Sequence, residues 1–178
     1  QRRVLGDEHP DTLKSMTNIG YLLQSQGKLT EAEPYFRKDL TTSRRVLGDE
    51  HPDTLISIHN MGTLERDLGN LAEAEALGLE AVTVSRRILG SEHPNVGVFM
   101  TAYAVTLAAL ERFTEAESHL MEAHTILSES GIGAEPYRER PIKAFIDLYR
   151  TWHERDPEAG HDAKAAEWQT RLDALAED

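Results

Sequence analysis

Apolar residues recur at helical spacing in segments that are broken at regular intervals by short polar turns. One such segment ends at Val46 and Leu47 and is followed by Gly48, the residue best suited to end a helix. Pro52 then fits the first turn of the next helix, where its missing N–H costs nothing, and Asp53 favours the positive end of that helix's dipole. The pattern predicts a helix A from about Pro52 to Leu68, a turn at Gly69-Asn70, and a helix B from about Leu71 to Ile88. Glu73 and Glu75 stand in the first turn of helix B, again at the favourable end.

The same unit is written three times. Leu5-Gly6-Asp7-Glu8-His9-Pro10-Asp11-Thr12-Leu13 recurs unchanged from Leu47 to Leu55, and recurs in weaker form from Leu89 to Pro94. The step is 42 residues, and residues 5–46 and 47–88 agree at 22 of 42 positions. A fixed period of this size marks a stack of helix hairpins, because one hairpin cannot bury its apolar face alone. The expected fold is all-α, a right-handed α-solenoid of antiparallel helix hairpins. The expected boundaries are 1–4 for the end of a preceding repeat, then repeats at 5–46, 47–88 and 89–130, and an atypical C-terminal repeat and cap at 131–178. In the third unit Glu111 replaces the turn glycine, which predicts a turn conformation open to ordinary residues.

The pattern Leu-Gly-x-x-His-Pro, then Asn-x-Gly in helix A, then Gly-x-x-x-Glu-Ala-Glu, resembles the long tetratricopeptide repeat of kinesin light chains, a type also found in bacterial multidomain proteins. Small residues at the helix-crossing positions carry the match: Gly20 and Ala32, Gly62 and Ala74, Ala104 and Ala116. Departures from the pattern include Asp39 where Ala81 and Ala123 stand one and two repeats on, Glu65 at an apolar position, and Gly78 and Gln169 where large apolar residues are usual.

Composition narrows the function. The net charge of −12 argues against a nucleic-acid binder, which needs a basic face. The chain has no cysteine, so it has neither disulfides nor thiolate metal sites, and no apolar run reaches the ~20 residues that span a bilayer. No phosphate-binding loop, nucleophile elbow or kinase signature is present, and no acid, base and nucleophile converge, so no catalytic residue, cofactor or metal site is expected. His9, His51 and His93 fall one per repeat at helix starts and cannot meet on one metal.

The resemblance implies a cytoplasmic protein-interaction module whose A helices line a concave, peptide-binding groove. The residues expected there are Lys14, Asn18, Tyr21, His59, Asn60, Thr63, Arg66, Thr101, Val105, Lys143, Asp147 and Arg150. Asn18 and Asn60 suit the backbone of an extended peptide, since an amide offers both donor and acceptor. Val98, Ala102, Val105 and Ala108 form an apolar stretch, and Arg140, Lys143 and Arg150 a basic one. The expected partner is therefore a protein or peptide with an apolar anchor and acidic residues, with no nucleic acid and no membrane involved. The alternative is a structural spacer or self-association scaffold in a larger, kinase-linked protein, with self-association through an N-terminal edge at Leu13, Met16 or Leu23.

Overall fold

The computed structural model describes residues 10–131 and 135–176. Among these it contains eight α-helices and no strand: α1 (Pro10–Ser25), α2 (Leu29–Leu47), α3 (Pro52–Asp67), α4 (Leu71–Leu89), α5 (Pro94–Ala109), α6 (Phe113–Glu129), α7 (Glu139–Arg155) and α8 (His161–Leu175). The predicted all-α fold of helix hairpins is what forms. Residues 1–4, read as the end of a preceding repeat, and His9 lie outside the described residues.

Two of the A helices, α3 and α5, are capped by a histidine. The Nδ1 of His51 accepts from the Asp53 N–H at 3.1 Å, and that of His93 from the Asn95 N–H at 3.1 Å. These histidines stand in for the usual Ser or Asp N-cap and satisfy one orphan donor of the first turn. The following Pro52 and Pro94 have no N–H to satisfy.

The first three hairpin turns close by the same two bonds. Gly27 N donates to the Gln24 carbonyl and Lys28 N to that of Leu23, both at 2.9 Å. Gly69 and Asn70 repeat this on Arg66 and Glu65, and Glu111 and Arg112 on Ala108 and Leu107. This closure needs a left-handed residue, and φ is +73° at Gly27 and +85° at Gly69. Glu111 adopts it too, at φ +60°, so the expectation of an ordinary turn conformation there is corrected. The hairpin imposes the backbone and the glutamate bears the strain, of about 1–2 kcal/mol.

Two compact units divide the chain, Gln1–Ser85 and Arg86–Asp178. In the first, α1 packs on α2 and α2 on α3. Phe36, Leu55, Ile58, Met61 and Leu64 are fully buried. The crossings are set by missing side chains: a Cβ on Gly20 would come within 2.9 Å of the Phe36 ring, and one on Gly62 within 3.2 Å of Leu77 Cβ. Glu65 is fully buried, yet its carboxylate is held by the Arg37 guanidinium at 2.8 Å and the Asn70 amide at 2.7 Å.

In the second unit α5, α6 and α7 pack against one another and α8 covers α7. Gly97 lets α5 approach α6, since a Cβ there would lie 2.8 Å from Leu127 Cγ. The last hairpin is joined by a 3₁₀ turn, Pro157–Ala159, and sealed by rings: Trp168 stacks on Phe145 at 4.0 Å and His161 on Trp152 at 4.1 Å. The outer side of α8 is polar, with Arg171 paired to Glu167 at 2.6 Å and Gln169 to Asp173 at 3.0 Å.

Candidate functional site

In the first unit, α1 and α3 carry the face on which a groove was expected. Lys14 and Asn18 are exposed on α1, while the Thr17 hydroxyl is turned back to the Leu13 carbonyl at 3.1 Å. Tyr21 is 46% exposed, and its hydroxyl donates to Asn60 Oδ1 at 2.7 Å. Its ring meets Phe36 edge-on at 5.4 Å, so the phenol is fixed from both ends. Asn60 itself is buried, and its Nδ2 has no hydrogen-bond partner. Thr63 is half-buried with an unpaired hydroxyl, and His59 is half-buried. The Arg66 guanidinium folds onto the Asp67 carboxylate at 2.8 Å, which neutralises it locally.

Between α1, α2 and α3 lies a cleft of 500 Å³, within the ~300–1,000 Å³ of ordinary ligand clefts. Lys14, Thr17, Asn18 and Ile56, all on the A-helix face, line it together with Leu13, Val46 and Leu47. Its polar wall is Asp39, Ser43 and Ser57. Asp39 is only 5% exposed, and the Ser57 hydroxyl donates to its Oδ2 at 2.7 Å. No cation pairs with this carboxylate among the described residues. Burial pushes its pKa upward, partly opposed by the Ser57 hydrogen bond and the nearby Thr17 hydroxyl, while the nearby Asp53 charge pushes it further up.

In the second unit, α5 presents Val105, Ala102 and Ala108 half-buried, whereas Val98 and Thr101 are buried and the Thr101 hydroxyl bonds the Gly97 carbonyl of its own helix at 2.8 Å. On α7, Lys143, Asp147 and Arg150 are exposed. Lys143 pairs with Glu139 one turn back, at 2.5 Å. Arg150 borders a depression of 520 Å³ together with His153, Glu154, Asp162 and Gln169.

Lys14 and Asn18 of this cleft were among the sequence-derived site residues, but Asp39 was not. Its signal was present in the chain, as the one acidic residue at a position that holds Ala81 and Ala123 in the other repeats. The N-terminal edge also differs from expectation. Leu13 and Met16 are buried and Leu23 is half-buried, while Ile19 at 41% and Leu22 at 58% are the exposed aliphatic residues among the described residues of α1.

No helix among the described residues is long and apolar enough to cross a membrane. Comparison with curated proteins gives no match. Among solved structures, the chain is similar to the nearly identical TPR-like repeats of a Podosopora anserina protein described as a kinesin light chain, with 24% identity and a TM-score of 0.69 over 99% of this chain and 80% of that one. A substituted form of the same repeats gives 22% identity and a TM-score of 0.71, over 98% of this chain and 79% of that one. BtubC (BKLC) from P. vanneervenii gives 15% identity and a TM-score of 0.75 over 93% of this chain and 63% of that one. At these identities the likeness establishes a shared fold. Two family models, each described as tetratricopeptide repeat, match residues 12–53 and 56–129. The repeat period, the hairpin geometry and these matches agree, and the chain belongs to the tetratricopeptide-repeat family.

Proposed function

We propose that the chain is a cytoplasmic docking module that holds an extended segment of a partner protein on the A-helix face, and that it has no catalytic role. The observation that supports this most is the cleft in the first unit, where four residues of that face, Lys14, Thr17, Asn18 and Ile56, border one cavity. In the same unit, Tyr21 is fixed by its hydrogen bond to the buried Asn60 and leaves its ring exposed, suited to an apolar anchor. In the second unit the exposed Lys143 and Arg150 suit an acidic residue of the same partner class.

The test is a titration with acidic-ended peptides followed by calorimetry. Asn60→Ala should weaken all peptides to a similar degree, because it frees the Tyr21 hydroxyl that Asn60 holds in place. Lys143→Glu with Arg150→Glu should weaken acidic peptides selectively, and this effect should fade as salt rises, given a Debye length of ~8 Å at physiological ionic strength. Lys38→Glu, an exposed change on α2, serves as control. Equal sensitivity to the α2 control would move the docking surface off the A helices.

A scaffold reading keeps one observation of its own, the exposed Ile19 and Leu22 on α1. It predicts association with concentration that Ile19→Ser with Leu22→Ser abolishes in sedimentation equilibrium.

A further inference from the structure

We propose that the cleft between α1, α2 and α3 takes a lysine or arginine side chain of the docked segment, with the cationic head reaching Asp39. The proposal rests on the docking reading above and adds to it a specificity for one residue class.

A carboxylate as buried as Asp39 has to be compensated or it costs stability. Here its hydrogen-bond donor is a hydroxyl, that of Ser57 at 2.7 Å. It solvates the charge without neutralising it. The charged groups that border the same cleft are Lys14 on α1 and Asp53 on α3. Lys14 is exposed and Asp53 has 72% of its side chain in solvent, so the cleft carries an excess of negative charge with the buried member at its wall. The mouth is apolar, through Leu13, Val46, Leu47 and Ile56. That combination fits a side chain with a hydrocarbon stem and a charged tip, since the stem covers apolar surface while the head finds an acceptor.

The fold itself does not require this arrangement. One repeat further along the chain the positions of Asp39 and Ser57 are Ala81 and Phe99, and two repeats along they are Ala123 and Pro141. Phe99 and Ala123 are buried in an ordinary apolar core. A charged wall is therefore peculiar to the first repeat, where Asp39 stands in place of an alanine and Ser57 in place of a phenylalanine or proline. The upward pressure on the Asp39 pKa has the same origin, and a cation seated beside it reverses that pressure.

The experiment is a pair of selections from a displayed library of random peptides, one against the chain and one against its Asp39→Ala variant. Ala is the residue the other repeats carry at this position, so folding is retained, and Asp39→Asn provides a second variant of unchanged shape. Selection on the unmodified chain should enrich Lys or Arg at one peptide position. Binding of the selected peptide should fall about tenfold or more with Asp39→Ala, Asp39→Asn, or norleucine in place of the peptide's cation, the scale set by loss of a charge-assisted hydrogen bond. Its affinity should also fall as pH is lowered through the Asp39 titration. Peptides that bind with no cationic preference, or with one that survives both variants, overturn the inference and leave the docking reading standing. A selection that yields no peptide sensitive to A-helix substitutions overturns both.

Discussion

Removing Arg37 should damage the protein far more than removing the glutamate it holds. Glu65 keeps 1% of its side chain in solvent and relies on Arg37 at 2.8 Å and Asn70 at 2.7 Å. Arg37→Leu leaves that carboxylate buried with a single amide partner. Orphaning one member of a fully buried ion pair costs about 3–5 kcal/mol. Arg37 is half exposed, and water enters where it leaves, so we expect about 1–3 kcal/mol. Glu65→Leu is different. Arg37 retains Glu33 at 3.0 Å and Glu73 at 3.5 Å, and leucine is the residue the neighbouring repeats place there as Leu23 and Leu107. Its cost should stay within about 1 kcal/mol of zero. The double variant mimics the pair Leu79 and Leu107 of the next repeat and should match Glu65→Leu alone. Thermal unfolding of the four proteins closes the cycle, with Tm shifting by about 2–4 °C per kcal/mol for a chain of this length. Equal costs for the two single variants, with a double variant that simply adds them, would refute the claim that the pair is asymmetric and coupled.

Four further outcomes are expected. Glu111→Gly should raise stability by about 1 kcal/mol or less, because relief of the left-handed strain outweighs the added freedom of the unfolded chain; thermal unfolding that drops would show that the Arg155 contact at 2.5 Å matters more. Gly97→Ala should destabilise by about 1–3 kcal/mol despite alanine's higher helix propensity, since its Cβ meets the branch carbon of Leu127 rather than a flexible tip, and a rise in Tm would show that the crossing relaxes. Ala74→Leu should cost a similar amount at the α3–α4 crossing, and an unchanged Tm would place Ala74 away from the contact. Asp39→Ala should stabilise the chain more at pH 7 than at pH 4. The Asp39 pKa is raised in the folded state, so its contribution is most favourable below the unfolded value and is lost as pH rises through the folded one; a Tm difference that shrinks with rising pH would reverse that assignment.

The helices were legible because their signals are local. A histidine followed by proline announces the start of the first three A helices, and a two-residue turn announces where each ends, all within a few positions of the chain. Glu111 was misread because the demand for positive φ comes from the closed hairpin and not from the residue that meets it. Site residues depend on longer spans. Asn60 reads as a free amide until Tyr21, 39 positions away, takes its oxygen. Thr101 reads as a surface residue until its hydroxyl is found bonded to its own helix. Asp39 and Glu65 were both visible as departures from the repeat. Their partners, Ser57 and Arg37, could be assigned only once α2 and α3 lay side by side.

The caps and turns also bear on how such an array can grow. His51 bonds a group two residues ahead, and each of the first three turns closes on carbonyls three and five residues behind. Helix B of one block is closed by the glycine that opens the next, Gly48 on the Arg44 carbonyl and Gly90 on that of Arg86, and the same Leu-Gly recurs at each 42-residue step, so duplication or deletion at that step leaves no broken helix terminus. The Arg37–Glu65 bridge works against such shuffling. It joins helix B of one block to helix A of the next, and any reordering that parts them strands a buried carboxylate against a leucine or methionine surface such as Leu79 or Met121 offers. Blocks with interchangeable ends thus acquire an address, and the order of the first two is written into a single ion pair.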